Sequence, residues 1–160
     1  MSKCLIIGEL GINSNGDLTT AFKLIESAKN AGCDFVKLQK RDINSVYTKD
    51  ELDKPRESPW GTTNRQQKEG LEFNYQNYED ISKYCDVEGI GWFASPWDIK
   101  SVKFLTLFKQ PYIKIASALM TNFELLGEVK NTKIPVIVST GMTTKVELDN
   151  VLKVQANAST

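Results

Sequence analysis

The stretch CLIIGELGINSNGD, residues 4–17, predicts a buried strand that runs directly into a polar turn. Its apolar run ends at Gly8, and Glu9 follows immediately. A carboxylate that is only packed is costly, whereas the C-terminal ends of strands in parallel α/β proteins are where ligands bind. Taken alone, however, the stretch fits an ordinary surface glutamate beside a βα turn better than a functional one. Glu9 therefore indicates a site only together with polar residues at the ends of the other strands.

The length and charge of the chain exclude several classes of partner. Its 160 residues suffice for one domain with a sizeable core. Because 20 acidic residues balance 20 basic ones, no net charge attracts nucleic acid or an anionic membrane. The apolar segments are too short to span a bilayer, and the N-terminus lacks the features of a signal peptide. We therefore expect a cytoplasmic protein that binds small molecules or other proteins.

The three cysteines, Cys4, Cys33 and Cys85, are scattered and never form a CxxC pair. The chain contains no histidine, which excludes a Cys/His metal cluster and a Cys-His nucleophile pair within it. We expect reduced, buried thiols that pack as small hydrophobic side chains.

Strand and helix patterns alternate along the chain. Asp17 is a candidate N-cap of a first helix that Gly32 ends, and a strand follows at residues 34–39. Later helices begin near Asn74, after Asp98, and at two candidate capping boxes, Thr121 with Glu124 and Thr144 with Glu147. The count is five strand-helix units, which predicts a parallel sheet covered by helices.

Two architectures fit this alternation. A doubly wound sheet would be complete with five strands, whereas a (β/α)₈ barrel would be cut off after five of its eight units. Periodicity does not separate them, and no GxGxxG motif points to a dinucleotide-binding fold.

Residues 41–73 interrupt the alternation with a long polar segment that includes DKPRESPWGTTN at 53–64. Loops of this length in a compact domain are usually functional or disordered. Its aromatic and arginine residues favour an ordered, packed loop, although a solvated linker is the alternative; they are Tyr47, Arg56, Trp60 and Arg65.

Every strand carries a polar residue at or just past its C-terminal end. These residues are Glu9, Lys37, Gln39, Ser95, Lys114, Ser117, Ser139 and Thr140. Parallel strands bring their C-terminal ends to one face, so the set converges there. Lysines and hydroxyls can hold a phosphate or carboxylate, and Glu9 could serve as an acid or base beside it. Each residue alone has a plainer explanation, such as a Lys114 that extends from the sheet edge to water, but together they predict a site.

Five motifs carry a family resemblance. In chain order they read ELGINSNGD (9–17), VKLQKR (36–41), SPWD (95–98), YIKIAS (112–117) and VIVSTGM (136–142). They resemble the corresponding motifs of the sialic acid (N-acetylneuraminate) synthases along essentially the whole chain. The resemblance implies an α/β fold of the TIM type, a (β/α)₈ barrel truncated here after about five βα units.

The resemblance also implies a chemistry. Family members condense phosphoenolpyruvate with N-acetylmannosamine or a related amino sugar, with Mn²⁺ or Mg²⁺ as the metal. Matched motifs assign phosphoenolpyruvate to five residues, which are Lys37, Ser95, Lys114, Ser117 and Ser139. Glu9 and Gln39 would face the sugar aldehyde, with Glu9 as the catalytic group, and Asn13 would also bind substrate.

Three departures from the family pattern qualify this assignment. Ser14 stands where the first motif commonly has histidine, and Leu119 stands where many members have glutamate. The family's metal-binding histidines lie on later strands, and this chain has no histidine. The resemblance therefore places no metal ligand in this chain.

We expect residues 1–160 to be the N-terminal portion of a synthase barrel, with 41–73 as its long second loop and the family's antifreeze-like domain absent. The full-length enzyme would be a homodimer and would need the later strands for condensation. Two alternatives remain: a truncated, non-catalytic protein that binds metabolites or a full-length relative, and a related synthase that joins phosphoenolpyruvate to another aldehyde.

Overall fold

The computed structural model describes residues 4–156. The elements in chain order are β1 (Ile7–Gly11), α1 (Leu18–Asn30), β2 (Phe35–Lys40), α2 (Ile43–Val46), α3 (Lys49–Leu52), β3 (Pro55–Ser58), β4 (Gly61–Thr63), α4 (Asn64–Gly70), α5 (Tyr75–Glu88), β5 (Gly91–Pro96), α6 (Ile99–Leu105), β6 (Ile113–Ile115), a 3₁₀ turn (Ser117–Leu119), α7 (Phe123–Asn131), β7 (Val136–Val138) and α8 (Lys145–Ala156).

The main sheet contains five strands in the order β1-β2-β5-β6-β7, and every neighbouring pair is parallel. Each strand of this sheet in chain order lies next to the preceding one, so the sheet grows in a single direction from β1 to β7. A doubly wound sheet would instead reverse direction at a switch point. The chain therefore has an α/β fold whose parallel sheet is wound in one direction, as in a (β/α) barrel.

The two faces of the sheet have different surroundings. Alternation along the strands turns one set of apolar side chains towards the helices. Against α1 and α5 lie Leu10, Val36, Leu38, Trp92 and Ala94, and against α7 and α8 lie Ile113 and Ile115. The opposite face carries a triangle of aromatic rings, Phe35, Phe93 and Tyr112, whose centroids are 5.7–6.0 Å apart. Helices cover the first face, and the candidate site lies on the second.

The helix starts follow the predicted caps with one exception. Asp17 accepts the Thr20 amide proton at 2.6 Å, and Thr144 and Glu147 form the expected reciprocal bonds. The capping box predicted at Thr121 is wrong, because α7 is capped by Asn122, which accepts from the Leu125 amide at 3.0 Å. The turn after β6 continues through Asn122, whose amide bonds to the Leu119 carbonyl, so the helix begins one residue later.

Residues 41–73 are ordered, as the aromatic and arginine residues predicted. The segment folds into α2, α3, the β3–β4 hairpin and α4, which together we call the insert (42–71). Its end packs tightly on the turn after β1, since a Cβ built at Gly16 would lie 1.9 Å from the Gly70 carbonyl oxygen.

All three cysteines are free, as expected, but their predicted burial holds only in part. Cys85 is buried and Cys33 is half-buried, whereas Cys4 is exposed, because it precedes β1 at the start of the described chain. Among the described residues, no helix combines the length and apolar character that a membrane crossing needs.

The contact between Gly16 and Gly70 yields a stability prediction. Gly16 and Gly32 both have positive φ, at 70° and 84°, but in the described part of the chain no neighbouring atom lies within 4 Å of a Cβ built at Gly32. We expect Gly32→Ala to cost about 1 kcal/mol of unfolding free energy from left-handed strain alone. Gly16→Ala should cost about 1–3 kcal/mol more, because its methyl group also collides with backbone. Urea unfolding of both variants measures the difference; equal losses would show that the insert yields at this contact.

Candidate functional site

The site begins with an ion pair between the first two strands. Parallel register places Glu9 opposite Lys37. The Lys37 ammonium lies 2.8 Å from a Glu9 carboxylate oxygen. The Lys37 side chain is buried, at 7% exposure, while that of Glu9 is 61% exposed. A largely desolvated cation therefore sits beneath a carboxylate that solvent and ligands can reach.

A second lysine, Lys114, adds positive charge to this region. Its ammonium donates to the Ile115 carbonyl at 2.8 Å and to the hydroxyl of Ser139, which directly follows β7. Burial lowers the pKa of Lys114 below the ordinary lysine value, the charge of Lys37 lowers it further, and Glu9 partly opposes both effects. Lys37, Lys114 and Glu9 thus interact electrostatically as one cluster, and an anion bound there would relieve the repulsion between the lysines.

The hydroxyl and amide residues border the cluster. The register of β2 and β5 places Gln39 opposite Ser95, two residues beyond the pair formed by Lys37 and Phe93. Ser95 is buried and donates its hydroxyl proton to the Lys114 carbonyl at 2.7 Å. A Cβ built at Gly141 would lie 3.4 Å from the Ser117 hydroxyl oxygen, so the ends of β6 and β7 are in contact. The structure therefore brings the predicted residues to one end of the sheet.

The substrate-binding role of Asn13 stays a prediction. Asn13 lies on the exposed turn after β1, where its backbone amide bonds to the Leu10 carbonyl at 2.9 Å. Within residues 4–156 no hydrogen bond joins its side chain to the lysine cluster. Two of the three family departures are single residues: Ser14 is buried in the same turn, and Leu119 packs against the core formed with α7 and α8.

One polar network beside the site was missed from the sequence. Glu72 accepts from the Arg41 Nε at 2.8 Å, from the Arg41 backbone amide at 3.1 Å and from Lys40 at 3.2 Å. Glu72 directly follows the insert, and Arg41 directly follows β2, two residues past Gln39. Their bonds therefore join the end of the insert to the end of β2. The partners are 31 residues apart in sequence, so spacing gave no signal beyond the presence of charges in a polar segment.

The described residues do not form a metal site. Among residues 4–156, no group of three or more His, Cys, Asp or Glu side chains lies close enough to hold a metal ion. Glu9, the one carboxylate in the cluster described above, is paired with Lys37. Residues 4–156 therefore do not fit the Mn²⁺ or Mg²⁺ implied by the resemblance.

Comparison with known proteins identifies the family of the chain. The model of the NeuB family matches residues 24–160, which is most of the chain. The chain belongs to the NeuB family. This confirms the resemblance to sialic acid synthases that the five motifs indicated.

Curated relatives of this NeuB family chain include two named synthases. The N-acetylneuraminate-9-phosphate synthase of Drosophila melanogaster is 37% identical over 92% of the chain and 40% of its own length. The N,N'-diacetyllegionaminic acid synthase of Legionella pneumophila is 34% identical over 87% of the chain and 40% of its own length. The chain thus spans about two fifths of the length of these relatives.

A solved structure supports the fold. The N-acetylneuraminic acid synthetase of Leptospira borgpetersenii, in complex with citrate, superposes with a TM-score of 0.81. It is 22% identical, and the match covers 99% of this chain and 52% of that one. At this identity the likeness establishes the fold only.

Proposed function

We propose that this NeuB family chain contributes the phosphoenolpyruvate-binding part of a nonulosonic acid synthase. The observation that carries the proposal is the Lys37–Lys114 pair, which two strands hold at one end of the sheet beside Glu9. A small ligand with both a carboxylate and a phosphate suits two neighbouring lysines. An N-acetylated amino sugar is proposed as the acceptor, because the products in the names of the relatives carry N-acetyl groups.

Each residue has a proposed role. The phosphate and carboxylate of phosphoenolpyruvate would be held by Lys37, Ser95, Lys114, Ser117 and Ser139. Glu9 and Gln39 would face the sugar aldehyde, with the exposed Glu9 carboxylate as acid, base or hydroxyl-orienting group. C3 of phosphoenolpyruvate would form the bond to the aldehyde carbon, water would add at C2, and inorganic phosphate would leave.

The rest of the site would come from outside the described residues. We propose that the five strand-helix units belong to an eight-unit barrel, because the chain spans about two fifths of its relatives. The later units would supply the ligands for Mn²⁺ or Mg²⁺. A cytoplasmic homodimer remains our expectation for the complete enzyme.

Phosphate release tests the proposal. The protein from the complete reading frame is incubated with phosphoenolpyruvate, Mn²⁺ and one acceptor at a time: N-acetylmannosamine, its 6-phosphate, or a diacetamido hexose. A simple aldose phosphate is included as a further acceptor. We expect phosphate release only with phosphoenolpyruvate and one amino-sugar acceptor together, and none from residues 1–160 expressed alone. Release with a simple aldose phosphate instead would identify the related aldehyde synthase. Tight phosphoenolpyruvate binding without turnover on any acceptor would favour the non-catalytic binding protein.

A further inference from the structure

The pairing between β5 and β6 depends on two side chains. The ladder between these strands is short, with Ala94 aligned to Ile113. At one end the Ala94 amide donates to the Gln110 side-chain oxygen at 2.8 Å, and Gln110 itself donates to the Leu105 carbonyl at 2.8 Å. At the other end the Ser95 hydroxyl donates to the Lys114 carbonyl at 2.7 Å.

The Ser95 bond replaces a backbone bond that this sequence cannot make. Ile113 donates its amide proton towards β7, to the Pro135 carbonyl at 2.9 Å. Alternation along β6 therefore turns the Lys114 carbonyl towards β5. With Ala94 opposite Ile113, the donor that a regular ladder would offer to this carbonyl is the amide of residue 96. Residue 96 is proline, which has no amide proton.

The replacement has a consequence for Lys114. The Ser95 hydroxyl has a single proton, which it donates in the hydrogen bond to the Lys114 carbonyl. In this state Ser95 can only accept further hydrogen bonds. The side chain of the same Lys114 is then directed by the Ile115 carbonyl and the Ser139 hydroxyl. We propose that Ser95 has a positioning role, in which its bond to the Lys114 carbonyl fixes the Lys114 backbone and thereby the Lys114 ammonium.

This inference rests on the proposed function for its consequence but not for its test. The test uses the ligand-free protein from the complete reading frame, and its readout is the titration of the Lys114 side chain by ¹³C NMR. Burial keeps the pKa of Lys114 low. Loss of the Ser95 bond should admit water between β5 and β6, so Ser95→Ala should shift the titration towards the ordinary lysine range.

A double variant and a control make the test specific. Ser95→Ala combined with Pro96→Ala returns a backbone amide to the position facing the Lys114 carbonyl, and should restore the wild-type titration. Ser101→Ala is the control, since this buried serine makes a comparable 2.7 Å bond to Asp98, and no hydrogen bond within residues 4–156 joins it to Lys114. We expect Ser101→Ala to leave the Lys114 titration unchanged.

Phosphoenolpyruvate affinity, measured by calorimetry, separates this inference from the proposed function. Ser95→Ala should weaken binding about tenfold, and the double variant should recover most of that loss. Weaker binding with an unchanged Lys114 titration would overturn the inference and make Ser95 a direct ligand donor. A titration shift in Ser101→Ala equal to that in Ser95→Ala would also overturn it. If the wild type binds no phosphoenolpyruvate, the proposed function fails, while the titration still decides the role of Ser95.

Discussion

Lys114→Met is expected to weaken phosphoenolpyruvate binding by about 100-fold. The Lys114 ammonium is partly desolvated and held by the Ile115 carbonyl and the Ser139 hydroxyl, so its direction is set before the ligand arrives. Methionine keeps much of the side-chain volume but removes the charge. Calorimetry on the two proteins gives the ratio of affinities directly.

Lys103→Met is the matched control for this variant. Lys103 also carries a lysine charge, but it lies on α6 with 68% of its side chain exposed. We expect this variant to bind phosphoenolpyruvate as the wild type does. Equal affinity losses in both variants would mean that the anion responds to overall charge and not to the strand-end cluster.

The same lysine gives the binding a pH dependence. Burial and the charge of Lys37 lower the pKa of Lys114, so it loses its proton at a lower pH than an ordinary lysine. Only the protonated form attracts the anion. Affinity should therefore fall as pH rises through this lowered pKa, in a range where exposed lysines stay charged. Lys114→Met should lack this step, and its persistence in the variant would assign it to another group.

The strands and helices could be predicted from sequence periodicity, but the order of the strands in the sheet could not. Alternating patterns indicated the strands and helices because burial of one helix face or one strand face leaves a periodic trace. The order β1-β2-β5-β6-β7 is a property of tertiary packing, and the five strand patterns fit two architectures equally well. The family motifs favoured the barrel because they match proteins of known fold, which a periodic pattern alone does not.

The candidate site was predictable to the same depth. Parallel strands must bring their C-terminal ends together, which is why Lys37 and Lys114 could be grouped from sequence. Strand register decides finer contacts, and periodicity does not reveal register. The Glu9–Lys37 pair and the Ser95 bond to the Lys114 carbonyl both depend on it. Asn13 was grouped with the site by its motif alone, and its place on the exposed turn after β1 leaves its role a prediction.

Glu72→Ala is expected to lower the free energy of unfolding by about 3–5 kcal/mol. Glu72 is only 10% exposed and accepts hydrogen bonds from both Lys40 and Arg41, which are 14% and 6% exposed. Removal of the carboxylate leaves two buried cations without their counter-charge, and that desolvation cost is the main loss. Urea unfolding gives the difference from the wild type.

Two further variants show whether charge compensation or packing is responsible. Glu69→Ala removes a carboxylate from an exposed pair with Arg65, and should cost less than about 1 kcal/mol. The double variant Arg41→Met with Glu72→Leu removes both partners of the closest ion pair, so it should be more stable than Glu72→Ala. A double variant less stable than Glu72→Ala would show that Arg41 stabilises the fold through its contacts with Tyr47 and the Trp97 ring.

The location of this network links its stability to the site. Glu72 directly follows the insert and Arg41 directly precedes it, two residues after Gln39, while the Asp42 amide donates to an Asp98 carboxylate oxygen at 2.7 Å. Glu72→Ala should therefore release the insert at one end and leave the Asp98 attachment in place. Amide exchange is expected to accelerate across 42–71 and at the end of β2, but not at β6 and β7. Uniform acceleration over the whole chain would instead mean that Glu72 stabilises the fold globally and that the insert has no separate attachment.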